Sequence, residues 1–203
     1  KKYPSIRPYG VSPDLRYELI VKEYNLWLED KEQKKQVQLT FDGDKDYEFE
    51  TANTEWLSDD GTFYLTREDK RNIRTFPLVY SLREPAPTVS EYKYELPGDT
   101  AILKQELFIG NVKTGMFKKV DVVKWRGQLL EVLKVADVQD RVFFIRKKGT
   151  RNEFELCSVD AKTGEVKVIL HEVSKPYLNE ELFSCRVLNG GKDILLWSDR
   201  SGW

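Results

Sequence analysis

The chain has 203 residues, 33 of them Lys or Arg and 34 Asp or Glu, so its formal net charge is -1. That balance leaves no global basic field to draw it to nucleic acid or an anionic membrane. Hydrophobic residues at 40% and aromatics at 12% suffice for a packed core and exclude a disordered tail.

No apolar run approaches the ~20 residues of a membrane-spanning helix. Lys1-Lys2-Tyr3-Pro4 does not read as a signal peptide, which leaves the compartment open. From the N-terminus onward the periodicity is that of strands. YELIVKEYNLWLED (17–30) is rich in β-branched and aromatic residues broken at polar turn positions, and GTFYLTRED (61–69) follows in the same style. The stretch 71–102 holds four of the chain's eight prolines: Pro77, Pro85, Pro87 and Pro97. Proline cannot donate to a ladder, so this stretch is expected to be extended surface chain rather than central strand.

QELFIGNVKTG (105–115) is again strand followed by turn. VDVVKWRGQLLEVLKV (120–135) has a spacing that could suit a helix, but Gly127 in its middle and the dense valines predict two short strands. DRVFFIRKKG (140–149), NEFELCSVDAKTG (152–164) and GKDILLWSDRSGW (191–203) complete the series. Lys118-Lys119 and Lys147-Lys148 are expected at solvated strand ends. Trp27, Trp56, Trp125 and Trp197 lie in or beside strand runs and are expected to pack between sheets.

A repeat runs through these elements. ELFIGNVKTGMFKKV (106–120) and ELCSVDAKTGEVKVI (155–169) share a strand, a Lys-Thr-Gly turn and a second strand. NLWLEDKEQKKQVQLT (25–40) is a weaker copy whose charged turn lacks glycine. Other units place a tight polar turn before an apolar strand, as in VSPDLRYELIVKEYN (11–25) and WLSDDGTFYLTRED (56–69). Strands and turns recurring at a period of roughly 50 residues are what a propeller blade requires, with a β-sandwich as the alternative.

SPDLRYELIVKEYNLWLEDKEQKKQVQLTFDGDKDYEF (12–49) resembles the propeller repeat of dipeptidyl peptidase IV-type serine peptidases. In that family an SPDG turn, an NLW or NLY strand and a QLTxDG exit follow one another. RTFPLVYSLREPAPTVSEYKYELPGD (74–99) is similar to the family's PTFPLV-like segment and KYPxPGD-like turn. LLWSDRSGW (195–203) resembles its WSSERxGW strand-turn, and the flavour is that of Bacteroidetes members.

The resemblance implies an all-β chain: a partial β-propeller of roughly three to four antiparallel four-stranded blades out of a probable eight. Residues 1–203 would then be a fragment of one propeller domain, with approximate blades at 11–40 (partial), 41–120 (with the insertion 71–102), 121–170 and 171–203 (partial). It implies a C-terminal α/β-hydrolase domain absent from this sequence, possible self-association through open blade edges, and an exported, periplasmic setting.

The family's Ser-His-Asp triad sits on that hydrolase domain in a Gly-x-Ser-x-Gly elbow, and no serine here has such flanking glycines. His171 is the one histidine and is expected to be structural. No metal-ligand spacing, GxGxxG or P-loop occurs, so neither metal nor cofactor is expected. Cys157 and Cys185 lack a CxxC partner, which leaves buried thiols and a disulfide both open.

In the family the propeller gates access to the active site for peptide substrates and holds their N-terminal ammonium with acidic residues from a motif like DWVYEEE. The matching place here is Asp46-Tyr47-Glu48-Phe49-Glu50, where Phe49 interrupts the acidic pair. The short distance to WLSDDG implies that the helical turn carrying the motif is missing. Alternation would put Glu48 and Glu50 on one face, as amine ligands or as the solvated face of an ordinary edge strand. The catalytic status of the parent, stand-alone binding propeller or pseudo-peptidase included, stays open.

Overall fold

A computed structural model of the chain describes residues 9–57, 61–135 and 138–198. Parts of three expected turns, at 58–60, 136–137 and 199–203, lie outside the described residues.

The first sheet is the antiparallel meander β1 (Tyr17–Lys22), β2 (Asn25–Asp30), β3 (Lys35–Gln38). The second takes β4 (Glu55–Trp56) and β5 (Thr62–Asp69), is interrupted by the separate hairpin β6 (Thr75–Tyr80) and β7 (Thr88–Lys93), and resumes with β8 (Lys104–Asn111) and β9 (Met116–Val120). The third is β10 (Leu129–Leu133), β11 (Arg141–Lys147), β12 (Glu153–Asp160), β13 (Val166–Val173), and β14 (Ser184–Leu188) pairs with β15 (Asp193–Trp197).

The middle strands read as continuous apolar runs because they are covered on both faces. In β5, Phe63 and Leu65 join Leu19, Leu26, Phe49 and Phe108 between the first and second sheets. Tyr64, on the opposite face, joins Leu107 and Ile109 against Val142, Phe144, Cys157 and Val159 of the third sheet. Ile145, Phe154 and Leu156 then face Leu178, with Phe183, Cys185 and Leu196 packed around them. Four successive sheets therefore stack through three apolar interfaces. A sandwich closes two sheets on one interior, so the architecture is that of a partial β-propeller. Gly110 makes one interface possible: it lies opposite Phe63 in the ladder, and a Cβ there would stand 2.3 Å from that ring.

The turns repeat in atomic detail. Asn111 Oδ1 accepts from the amides of Lys113 and Thr114, Asp160 Oδ1 from those of Lys162 and Thr163, and Asp30 Oδ1 from those of Glu32 and Gln33. In the first two, glycine closes the corner at positive φ, Gly115 at 71° and Gly164 at 77°. Lys34 holds φ 53° in the third copy, where glycine is missing.

Four expectations need correction. The segment 120–135 forms one strand, β10, rather than two, because buried Gln128 occupies the preceding backbone. Its Oε1 accepts from the amide of Lys124 at 2.9 Å and its Nε2 donates to the Val122 carbonyl at 3.0 Å. The proline-rich stretch is more ordered than plain extended chain, since β6 and β7 pair as an exposed hairpin with Pro77 opposite Glu91.

Among the tryptophans, Trp56 packs on Phe63, Trp27 and Trp125 sit half-buried under Lys22 and Lys124, and Trp197 is exposed. The paired lysines are tethered rather than merely solvated: Lys118 donates to the Lys162 carbonyl, Lys119 pairs with Glu106, Lys147 with Glu131, and Lys148 with Glu153.

A Cβ at Gly115 would meet nothing within 4 Å, so Gly115→Ala isolates the backbone cost. It should lower unfolding free energy by about 1–2 kcal/mol, read as a lower urea midpoint at unchanged slope. Lys34→Gly should raise the midpoint, by about 0.5 kcal/mol, because relief of the left-handed strain exceeds the added chain entropy.

Candidate functional site

Beyond β3 the chain turns tightly: Asp44 Oδ1 accepts from the Asp46 amide at 2.9 Å and its carbonyl from the Tyr47 amide at 2.8 Å. It then runs extended beside β5, with Phe49 bridged to Arg67 in antiparallel sense, before a single 3-10 turn at Thr51–Asn53. The acidic segment itself is therefore extended chain and not a helical turn, and the short 3-10 turn only follows it.

Along this run burial alternates. Tyr47 and Phe49 are buried, while Glu48 and Glu50 are exposed. An edge strand is not what carries the alternation, since the segment has only isolated bridges to its neighbours.

A cleft of about 510 Å³ opens on the exposed face, lined by Glu48, Glu50, Glu55, Glu68, Leu130 and Lys134 among others. Most acids around it are engaged. Glu68 pairs with Lys70 at 2.6 Å, Glu55 with Lys134, and Asp46 with Lys93 of β7 at 3.2 Å. The Glu50 carboxylate accepts from Asn53 Nδ2 at 3.2 Å. Among the described residues no basic side chain forms an ion pair with Glu48 or Glu50. Two carboxylates separated by one residue on an extended chain stand about 6–7 Å apart. Such a pair can share one ammonium group or hold two of its donors.

A buried cation forms part of the cleft wall. Arg67, 3% exposed, places its guanidinium carbon 3.4 Å from the Tyr47 ring centroid, 4.4 Å from that of Phe49 and 5.0 Å from that of Phe108. It forks onto Asp42 through two hydrogen bonds of 3.1 Å, which hold that carboxyl below the usual range against the opposing effect of burial. Arg71 covers Tyr47 from another side at 3.8 Å and itself pairs with Asp69. The Tyr47 hydroxyl donates to Glu106 Oε2 at 2.7 Å; burial and this bond push the phenol well above its ordinary value.

Arg67 and Glu106 sit directly opposite in the β5–β8 ladder. Sequence reasoning missed this pair and its second copy, Arg146 opposite Glu155 in β11–β12. There Arg146 Nε donates to Glu155 Oε2 at 2.8 Å, Nη1 donates to the Val122 carbonyl at 3.0 Å, and Lys124 takes the other carboxylate oxygen. The signal was present: Glu106 and Glu155 head the two copies of the repeat, each following an arginine set in an apolar strand.

The remaining candidates lie away from the cleft. His171 Nε2 is 2.9 Å from Glu153 on the exposed face of β13, and this contact with that from Lys148 lowers the Glu153 carboxyl. Cys157 and Cys185 are free thiols; burial lifts Cys157 to about 11 and raises Cys185 too, so neither is poised as a nucleophile. Among the described residues no group of three His, Cys, Asp or Glu side chains could hold a metal ion, and no helix is long and apolar enough to cross a membrane.

Over residues 3–203 the chain matches the family described as the dipeptidyl peptidase IV (DPP IV) N-terminal region. Its fold is similar to the crystal structure of Porphyromonas gingivalis dipeptidyl peptidase 4, with TM-score 0.72 and 19% identity over 96% of this chain. It is also similar to a Bacteroides ovatus protein described as a dipeptidyl aminopeptidase IV, with TM-score 0.55 and 14% identity over 80% of this chain. The chain spans 31% and 29% of the length of those two structures. No curated protein matches it.

Burial pushes the Glu155 carboxyl up, but hydrogen bonds from Lys124 and Arg146 outweigh it and leave the group below its ordinary value. A depressed folded pKa stabilises the fold above the unfolded value, about 4.3, and that contribution is lost as pH falls through the folded one. Glu155→Gln should therefore cost about 3–5 kcal/mol at neutral pH by stranding Arg146. In urea titrations between pH 6 and 3 its stability should decline less steeply than that of the wild type.

Proposed function

The chain belongs to the dipeptidyl peptidase IV N-terminal region family, and on that premise we propose that it is the non-catalytic propeller portion of a serine exopeptidase that releases dipeptides from peptide N-termini. In this reading the four sheets are successive blades of a larger wheel. The triad that cuts the bond lies on a C-terminal α/β-hydrolase domain of the same protein, in an exported setting. This portion restricts access to small peptides and sets where the substrate's N-terminus rests.

Glu48 and Glu50 bind the ammonium group. The observation that supports this is their shared position on the cleft face, with no ion-pair partner among the described residues, beside Glu55 and Glu68, which are already neutralised. A carboxylate pair in a partly enclosed cleft prefers a primary ammonium to a neutral amide because it can exchange hydration for charge-assisted hydrogen bonds. Anchoring that end fixes how far the chain reaches toward the nucleophile, and so the length of the released piece. Phe49, which breaks the acidic run, belongs to the anchor's foundation: its ring packs 5.0 Å from Phe108.

The full-length protein should hydrolyse Ala-Pro-p-nitroanilide, and Glu48→Gln and Glu50→Gln should each reduce kcat/KM by about 10–100-fold, mainly through KM, as loss of a charge-assisted hydrogen bond dictates. Unchanged kinetics in both variants would remove the amine-anchor role. An inactive wild type with an intact fold would remove the peptidase role.

A further inference from the structure

The two copies of the cross-strand Arg–Glu pair differ, and they differ at the cleft. In the third sheet the pair is closed, with Arg146 Nε 2.8 Å from Glu155 Oε2. In the second sheet Arg67 Nε stands 3.7 Å from Glu106 Oε2 and is buried without a hydrogen bond. The guanidinium has been drawn off its ladder partner toward Asp42 and the rings of Tyr47 and Phe49. A local departure from a repeated, better satisfied arrangement marks a place where geometry serves something other than stability.

We propose that Arg67 is a positioning residue for the carboxylate pair: by clamping Tyr47 and Phe49 beneath the cleft it forces Glu48 and Glu50 to stand above it, giving selectivity for a free N-terminal ammonium. The inference rests on the amine-anchor reading above.

Its physical basis is register. Side chains on an extended segment alternate, so seating residues 47 and 49 under the guanidinium leaves residues 48 and 50 facing out, and a slip of one position would reverse both. Arg71 covers Tyr47, Lys93 pairs with Asp46 and Phe49 packs on Phe108, but Arg67 lies over the Tyr47 and Phe49 rings together. Beyond the Phe49–Arg67 bridge, its neighbourhood is tied by the Lys70 amide to the Asp46 carbonyl at 2.9 Å and by the Tyr47 hydroxyl to Glu106. Asp42, on the entry to the turn, is held by the same guanidinium, so one side chain spans the acidic segment and the chain leading to it.

The test uses the full-length protein and two ligands without a further bond to cut, the dipeptide Ala-Pro and N-acetyl-Ala-Pro. The readout is the ratio of their dissociation constants by calorimetry, with Tm recorded for every variant. Arg67→Met, which keeps an apolar stem under the rings, should shrink the ratio by about tenfold, the lower end of what removing an orienting partner costs. N-acetyl-Ala-Pro affinity should change less than twofold. Arg146→Met removes a buried guanidinium in the next sheet and should lower Tm while leaving the ratio intact.

Tyr47→Phe keeps the ring on Arg67 and deletes one hydrogen bond, so it remains informative if Arg67→Met does not fold; it should shrink the ratio about threefold, in proportion to one neutral-donor bond. A ratio unchanged in every folded variant of Arg67 and Tyr47 would overturn the positioning role while leaving the amine anchor standing. A wild-type ratio near one would overturn both.

Discussion

Sheets stacked face to face leave their middle strands no face for water, and the rest of this structure follows from that constraint. β5, β8, β11 and β12 are apolar on both sides, so any charge they carry must be neutralised inside the ladder. Both sheets place an arginine on one middle strand opposite a glutamate on the next, with a lysine on one glutamate oxygen, but only Arg146 closes on its glutamate, whereas Arg67 bonds Asp42. The arrangement buries a cross-strand ion pair in the second and third sheets. It also places a cation, Arg67, in the cleft wall.

In the proposed reading that placement joins stability to recognition. A buried guanidinium is costly unless its surroundings compensate it, and Tyr47, Phe49, Asp42 and Glu106 all do so in part. Three of these four lie on the segment entering the cleft or immediately before it. In the proposed reading the acidic face of that segment is set from below, by the groups packed on Arg67. The hairpin β6–β7 is tied into the same region, since Lys93 at its base reaches both Asp46 and the Ile73 carbonyl.

Much of this was legible along the chain, at particular residues. The apolar runs at 107–109 and 142–145 marked strands, and the Lys-Thr-Gly corners marked the hairpins that follow β8 and β12. Alternation in Asp46-Tyr47-Glu48-Phe49-Glu50 correctly separated the acids from the rings. Gln128 was not legible, because its effect on 121–128 comes from a side chain competing for backbone groups, which apolar spacing does not record. Trp197 and Trp27 misled for a related reason: an aromatic within a strand says nothing of which side its neighbours will cover.

The amino-acid sequence alone determined what depends on a few neighbouring residues: strand periodicity, the corners that need positive φ, the opposite faces of Tyr47 and Glu48, and the repeat that announces stacked sheets. Only the tertiary structure decided which distant groups meet. Arg67 finds Glu106 because β5 and β8 pair in one register across an intervening hairpin, and the cleft exists because β10 of the next sheet approaches Glu48 and Glu50. Local conformation is governed by short-range sterics and hydrogen bonding, whereas the juxtaposition of remote charges is settled only once apolar faces have been buried against each other.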